Sequence, residues 1–175
     1  SKDTDGVGTS DSVGRSVYMI DAETGALKWS MAPSNATTSF SGTDSIPSTV
    51  ATLDSDGDGL VDRVYTGDTG GNVWRVDMPS ANPTGEETWT VFKLASVGTE
   101  IPDDNTNDRR FFNEPSLVRT FISETLETEV TDEEGVTKTI RVHQEKPYDA
   151  ILLGSGDRSN PLGTDTIDRF YMFKD

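Results

Sequence analysis

The stretch STVATLDSDGDGLVDRVYTGDTGGNVWRVDM, Ser48–Met78, decides how the whole chain is read. Three short runs rich in β-branched and aromatic residues, Ser48–Leu53, Arg63–Thr66 and Asn72–Met78, are separated by Gly- and Asp-rich connections. Runs of that kind, bounded by turn formers, read as strands. A fourth, Thr88–Leu94 (TWTVFKL), follows the turn-rich loop Pro79–Glu87. The pattern then recurs along the chain. Pro47–Val50 matches Pro115–Val118, the Gly67-Asp68 corner matches Gly156-Asp157, and Val73–Val76 matches Phe170–Phe173, while Val17–Ile20 resembles both of the last two. A repeated unit of four strands with an aromatic in a fixed place points to sheets arranged radially. The expected fold class is therefore all-β, a partial β-propeller of about two and a half four-stranded blades. By this reading the chain holds the last two strands of one blade, one whole blade and three strands of another. Residues 1–175 then form a single fragment of a larger propeller, because a complete one needs about four blades or more. A plain sandwich whose hairpins resemble one another by accident is the alternative.

Outward from that centre the segments are simpler. Ser16–Ser30 (SVYMIDAETGALKWS) places two apolar runs around Asp21–Gly25, a hairpin whose Gly25 sits where φ > 0 is most needed. Ser116–Val130 and Val136–Val142 alternate around the turn Thr131–Gly135, which predicts a long hairpin insert with its charges on the solvent face. Asp149–Gly154 and Arg169–Phe173 are the last strands. Ser1–Gly14, Ala32–Ile46 and Ala95–Asn113 are polar and read as loops. No segment sustains a 3.6-residue apolar period, so few helices are expected.

Charge and composition exclude several functions. Lys+Arg number 15 against Asp+Glu 31, a net charge of −16, and the pI is near 4.3. With no basic cluster, binding to nucleic acid is not expected. No run of ~18 apolar residues is present to cross a membrane as a helix. The first residues carry no basic flank followed by an apolar core, so no signal peptide is expected in this stretch. The absence of cysteine removes disulfides, thiolate metal sites and Cys nucleophiles together. A single histidine argues against a His-based triad or a zinc site. Oxygen-ligand chemistry and surface recognition are left.

The one strong chemical signal is Asp54-Ser55-Asp56-Gly57-Asp58-Gly59-Leu60-Val61-Asp62. Ca²⁺ takes six to eight oxygens at about 2.3–2.6 Å, supplied by alternate residues of a tightly coiled loop. Positions 1, 3, 5 and 9 are Asp54, Asp56, Asp58 and Asp62, and Leu60 at position 7 would give a backbone carbonyl. Gly59 falls where the loop must turn sharply. Val61 is expected to anchor the loop to the domain body. The loop departs from an EF-hand because Tyr65 stands in place of the bidentate Glu and strands flank it, so Asp62 must supply more of the coordination. Without a divalent ion the four carboxylates repel one another, which would disorder the loop or protonate some of them. Mg²⁺ is disfavoured because it keeps its water. The plainer reading is a solvated acidic turn.

Other candidates read as structural. Asp68 and Asp157 occupy equivalent corners and are expected to cap turns rather than to act as a catalytic pair. Asp103, Asp104 and Asp108 read as solvated loop residues. His143 lies in an alternating strand and reads as a surface residue. Trp29, Trp74, Trp89 and Tyr171 recur at equivalent places and are expected to pack the core.

Three segments together, Leu53–Met78, Ser16–Ser30 and Leu152–Asp175, resemble the C-terminal propeller of the PilC/PilY-type proteins of bacterial type IV pili. The Gly67–Arg75 run (GDTGGNVWR) and the Gly156–Pro161 run (GDRSNP) give that resemblance its specificity. It implies a non-enzymatic part of a large secreted protein, located at the pilus tip or outer-membrane surface and periplasmic in transit. The implied roles are pilus biogenesis and surface adhesion, with calcium at Asp54–Asp62 controlling extension against retraction. Implied partners are minor pilins, other blades of the same or an adjacent chain, and host or abiotic surfaces. No Arg-Gly-Asp occurs, so integrin binding is not implied. Two other readings stay open. One is an FG-GAP-like extracellular binding propeller, which further acidic loops would favour. The other is a quinoprotein dehydrogenase, whose repeats read like Val17–Trp29 but which needs a base and a stacking pair that this chain does not supply.

Overall fold

The computed structural model describes residues 10–99 and 106–175, and among them all regular structure is β, with no helix. The expectations for Asp103, Asp104 and the first nine residues lie outside the described residues. β1 (Val17–Ile20) and β2 (Leu27–Ala32) form the first hairpin, and β3 (Thr38–Ser39) adds parallel to β2. Asp21 closes that hairpin. Its Oδ1 accepts the Thr24 amide and hydroxyl, both at 2.9 Å, and Lys28 Nζ lies 3.1 Å from Oδ2, which together hold the carboxyl down to about 2. Gly25 has φ 71°, as its position predicts. β4 (Ala51–Leu53), β5 (Arg63–Gly67), β6 (Asn72–Asp77) and β7 (Thr90–Ser96) make an antiparallel meander. β8 (Ser116–Thr131), β9 (Thr137–Gly154) and β10 (Phe170–Lys174) form the third sheet, with β9 central. No sheet closes on itself.

The expected strand count of two, four and three becomes three, four and three. The extra strand, β3, falls in the polar segment read as a loop. It has no apolar alternation to signal it, and side-chain bonds hold it in place. Trp29 Nε1 donates to Thr38 Oγ1 at 3.0 Å and the Ser30 amide donates to Thr37 Oγ1 at 3.2 Å. β9 runs unbroken where two separate strands were expected. Pro147 falls within it, beyond the reach of β10, where one side of the strand is free and a proline is tolerated.

Period-2 alternation gives the central sheet two different faces. Val64, Trp74, Val76, Met78 and Trp89 pack with Trp29, Met31 and Phe40 toward the first sheet. Val73, with Leu94 and Ala95, packs on Phe111, Leu153, Tyr171 and Phe173 toward the third. Gly67 faces that second contact, where a Cβ would stand 2.4 Å from Phe111 Cβ, so only glycine admits the approach. Beside it the polar half of the same face joins sheets through ions. Tyr65 donates to Asp175 Oδ2 at 2.7 Å, Arg75 also grips Asp175, and Arg63 reaches Asp149 Oδ2 at 3.1 Å. Arg119, on β8, binds Asp149 Oδ1 at 3.1 Å and donates a second bond to the Ser55 carbonyl.

Beyond Phe121 and Pro147 the β8–β9 hairpin is a two-stranded ribbon. The expectation that its charges alone face solvent is corrected: both faces are open. Ile122, Leu126, Val130, Ile140 and Val142 are exposed along one face, because no third layer covers it. Pairs such as Glu127–Arg141 and Glu124–Lys146 tie its strands together. Two polar side chains of segments that are loops as expected are nonetheless buried. Asp11 is buried, accepting the Ser45 amide at 2.8 Å and hydroxyl at 2.7 Å, and Asp108 is buried beside Arg110 Nη2 at 2.7 Å.

Candidate metal centre

The Asp54–Asp62 loop joins β4 to β5 and is sewn to the sheet at its base. The Asp62 amide donates to the Leu53 carbonyl at 2.9 Å, and the Met78 amide donates to the Asp62 carbonyl at 2.7 Å. Gly57 and Gly59 have φ 84° and 90°, a conformation that side chains with a Cβ resist, and these two residues coil the chain on itself. The coil turns amides toward carboxylates. Asp54 Oδ1 accepts from Gly57 at 2.6 Å and Oδ2 from Gly59 at 2.9 Å. Asp56 Oδ1 accepts the Asp58 amide at 3.1 Å, and Asp58 Oδ1 accepts the Leu60 amide at 2.7 Å.

Asp54, Asp56 and Asp58 each bring a carboxylate oxygen within 4.8 Å of the others. This donor set suits a hard divalent ion, with hard anionic oxygens, no nitrogen or sulfur, and amides that restrain the carboxylates from behind. Asp62 is placed differently. Its Oδ2 accepts the Ser55 hydroxyl and the Ser55 amide (2.6 Å), which hold its carboxyl below the usual carboxylate range. It therefore ties the end of the loop back to Ser55 and stands outside the group of three. Leu60 is 61% exposed, and it meets the loop's carboxylates through its amide, which donates to Asp58 Oδ1. Val61 does not anchor the loop. It is 37% exposed, since the backbone bonds at Leu53 and Met78 already fix the base.

No family model matches the chain, and no solved structure matches it. A pilus protein does. The chain is similar to a protein of Xylella fastidiosa (strain Temecula1) described as a type IV pilus biogenesis factor PilY1 homolog, 40% identical over 53 residues. The match covers 30% of this chain and 3% of that relative, so the two share one short region of a much longer protein.

The remaining candidates are structural. Trp29, Trp74 and Trp89 are buried, Tyr171 is half-buried against Phe111 and Phe173, and exposed His143 pairs with Thr125 Oγ1 at 2.9 Å. Asp157 caps the Ser159 amide at 2.9 Å and also holds Arg110. Asp68 is more than a cap. It is wholly buried and accepts the Gly70 amide at 3.0 Å, the Asn72 amide at 2.8 Å and Trp74 Nε1 at 2.7 Å. Sequence reading missed the indole partner, although the spacing Asp68…Trp74 carried the signal. Burial pushes this carboxyl up to about 6, and the surrounding donors hold it from rising further.

The native state thus keeps the Asp68 proton longer than the unfolded chain does. The stability this contributes is complete below about pH 4 and is lost as pH rises through about 6. Asp68→Asn removes that dependence and turns an amide toward the Trp74 indole N–H, at an expected cost of about 2 kcal/mol. Urea denaturation of both proteins from pH 4.5 to 7 checks this. The gap between them should narrow as pH rises.

Proposed function

We propose that this chain is a non-enzymatic, calcium-binding part of a type IV pilus-associated protein, supporting pilus biogenesis through control of extension and retraction, and supporting surface adhesion. The observation that carries the pilus context is the 53-residue likeness to the PilY1 homolog. Support for the calcium comes from the loop itself, with three convergent carboxylates and two glycines at positive φ. Asp54, Asp56 and Asp58 would hold the ion, with the Leu60 carbonyl and Asp62 completing the shell. A bound Ca²⁺ would offset the mutual repulsion of these carboxylates.

The three stacked sheets are successive blades in this reading, with further blades from the same or an adjacent chain. Minor pilins and host or abiotic surfaces are the partners, at the pilus tip or outer-membrane surface. Calorimetric titration of EGTA-stripped protein tests the metal. One Ca²⁺ per chain is expected, and Asp54→Ala should weaken it by about a hundredfold or more, because charge count sets affinity in such sites. No heat at millimolar calcium, or unchanged affinity in Asp54→Ala, overturns the assignment.

A further inference from the structure

Beside the acidic loop lies a groove of about 340 Å³ that shares part of its lining with the candidate metal centre. Its floor is apolar, made of Met19, Met78 and Trp89. One wall is the loop, where Leu60 and Val61 stand exposed next to Asp56, Asp58 and Asp62. The opposite wall is Pro79–Ala81, and Trp89 Nε1 fixes it by donating to the Ser80 carbonyl at 2.7 Å. The groove is therefore formed before anything enters it, which lowers the entropy cost of binding. None of the described residues lining it is a cation, and three carboxylates stand against two exposed aliphatic side chains. The volume lies at the low end of about 300–1,000 Å³ for ligand sites, enough for one or two side chains and too small for a whole element.

We propose that this groove docks a cationic, apolar stretch of a partner polypeptide, which seats an aliphatic or aromatic side chain on Met19, Met78 and Trp89 and sets a neighbouring lysine or arginine against Asp56, Asp58 and Asp62. Asp56 and Asp58 belong both to this wall and to the group of three carboxylates. In so far as the inference rests on the calcium reading, ion and peptide compete, and by linkage each lowers the affinity of the other by the same factor.

The test uses EGTA-stripped protein and a fluorescein-labelled, end-capped hexapeptide alternating lysine with phenylalanine, followed by anisotropy at 20 mM salt. A matched peptide with glutamate for lysine is the control. Binding of the lysine peptide alone is expected, weakened at least tenfold in the double variant Leu60→Ser, Val61→Ser and again in 0.5 M NaCl, where screening reaches about 4 Å. Both substituted residues are exposed, and an unchanged thermal midpoint confirms that the variant folds. Equal binding of the glutamate peptide, or undiminished binding by the variant, overturns the docking site. Calcium at 5 mM, against NaCl of equal ionic strength, should cost the peptide about tenfold. If calorimetry shows calcium bound and peptide affinity stays the same, the competition is wrong. If calcium does not bind at all, the metal assignment falls, and the two peptides and the double variant still judge the groove.

Discussion

Trp74→Ala is expected to remove about 4 kcal/mol of stability, the largest single effect in the chain. Trp74 is 1% exposed and packs edge-on to Phe40, with ring centroids 4.8 Å apart. Truncation empties the centre of the cluster formed by the first and central sheets, and a close-packed interior fills such a void only in part. It also takes the indole donor from Asp68, leaving a buried carboxylate with fewer partners. Trp74→Phe keeps most of the ring packing and loses the donor, so it should cost about half as much. Urea denaturation of the three proteins at pH 7 decides the matter. A loss below about 1 kcal/mol for Trp74→Ala would show that this cluster does not hold the sheets together. Ordinary domains have only about 5–15 kcal/mol in reserve, so a loss of about 4 is a large share of the total.

The second large effect belongs to Asp175. Its carboxylate takes Tyr65 Oη at 2.7 Å and Arg75, with Arg63 Nη1 at 3.7 Å, and its backbone pairs with Asp149. Tyr65 is wholly buried, and burial followed by the Asp175 carboxylate pushes its phenol well above the usual range. Asp175→Ala leaves the buried Tyr65 hydroxyl without its acceptor and takes one of two carboxylates from the mostly buried Arg75, Asp77 keeping the other at 2.8 Å. An expected cost of about 3 kcal/mol follows, since breaking such a pair on one side is dearer than removing both partners. Asp175→Asn keeps an acceptor for Tyr65 and should lose less than half of that. The double variant Asp175→Ala, Tyr65→Phe should recover part of the loss, because it removes the orphaned hydroxyl. Thermal unfolding of Asp175→Ala, Tyr65→Phe and the double variant reads the coupling. Strict additivity would mean that Tyr65 and Asp175 do not communicate.

Much of the architecture was legible locally. The strands from Ser48 to Leu94 follow short β-branched runs, and the Asp21–Gly25 turn and the buried tryptophans follow from residue type and spacing. The coil of the acidic loop was legible too, because alternate aspartates with glycine between them leave few other conformations. What lay hidden was long-range. Tyr65 and Arg75 meet a residue at least a hundred positions away, and nothing in either segment announces the other. Asp68 reads as a turn residue from its neighbours, and its full burial emerges only in the folded chain, where distant Phe111 donates its amide to the Asp68 carbonyl. Val61 was misplaced for a similar reason. Its apolarity suggested burial, yet the loop is held by backbone bonds, and its side chain is left over a groove.

The ribbon has a mechanical consequence. Its free part runs for about ten residues, roughly 30 Å at strand rise, from a root where Arg119 clasps both Asp149 and the Ser55 carbonyl. A load at the tip near Asp132 would act through that long arm on a short one. The torque would arrive first at the Arg119–Ser55 bond, one residue from the leading aspartate of the acidic loop. Traction on the hairpin and the shape of that loop are thereby joined through Arg119 at the loop's start and, by way of Asp149, Arg63 at its end.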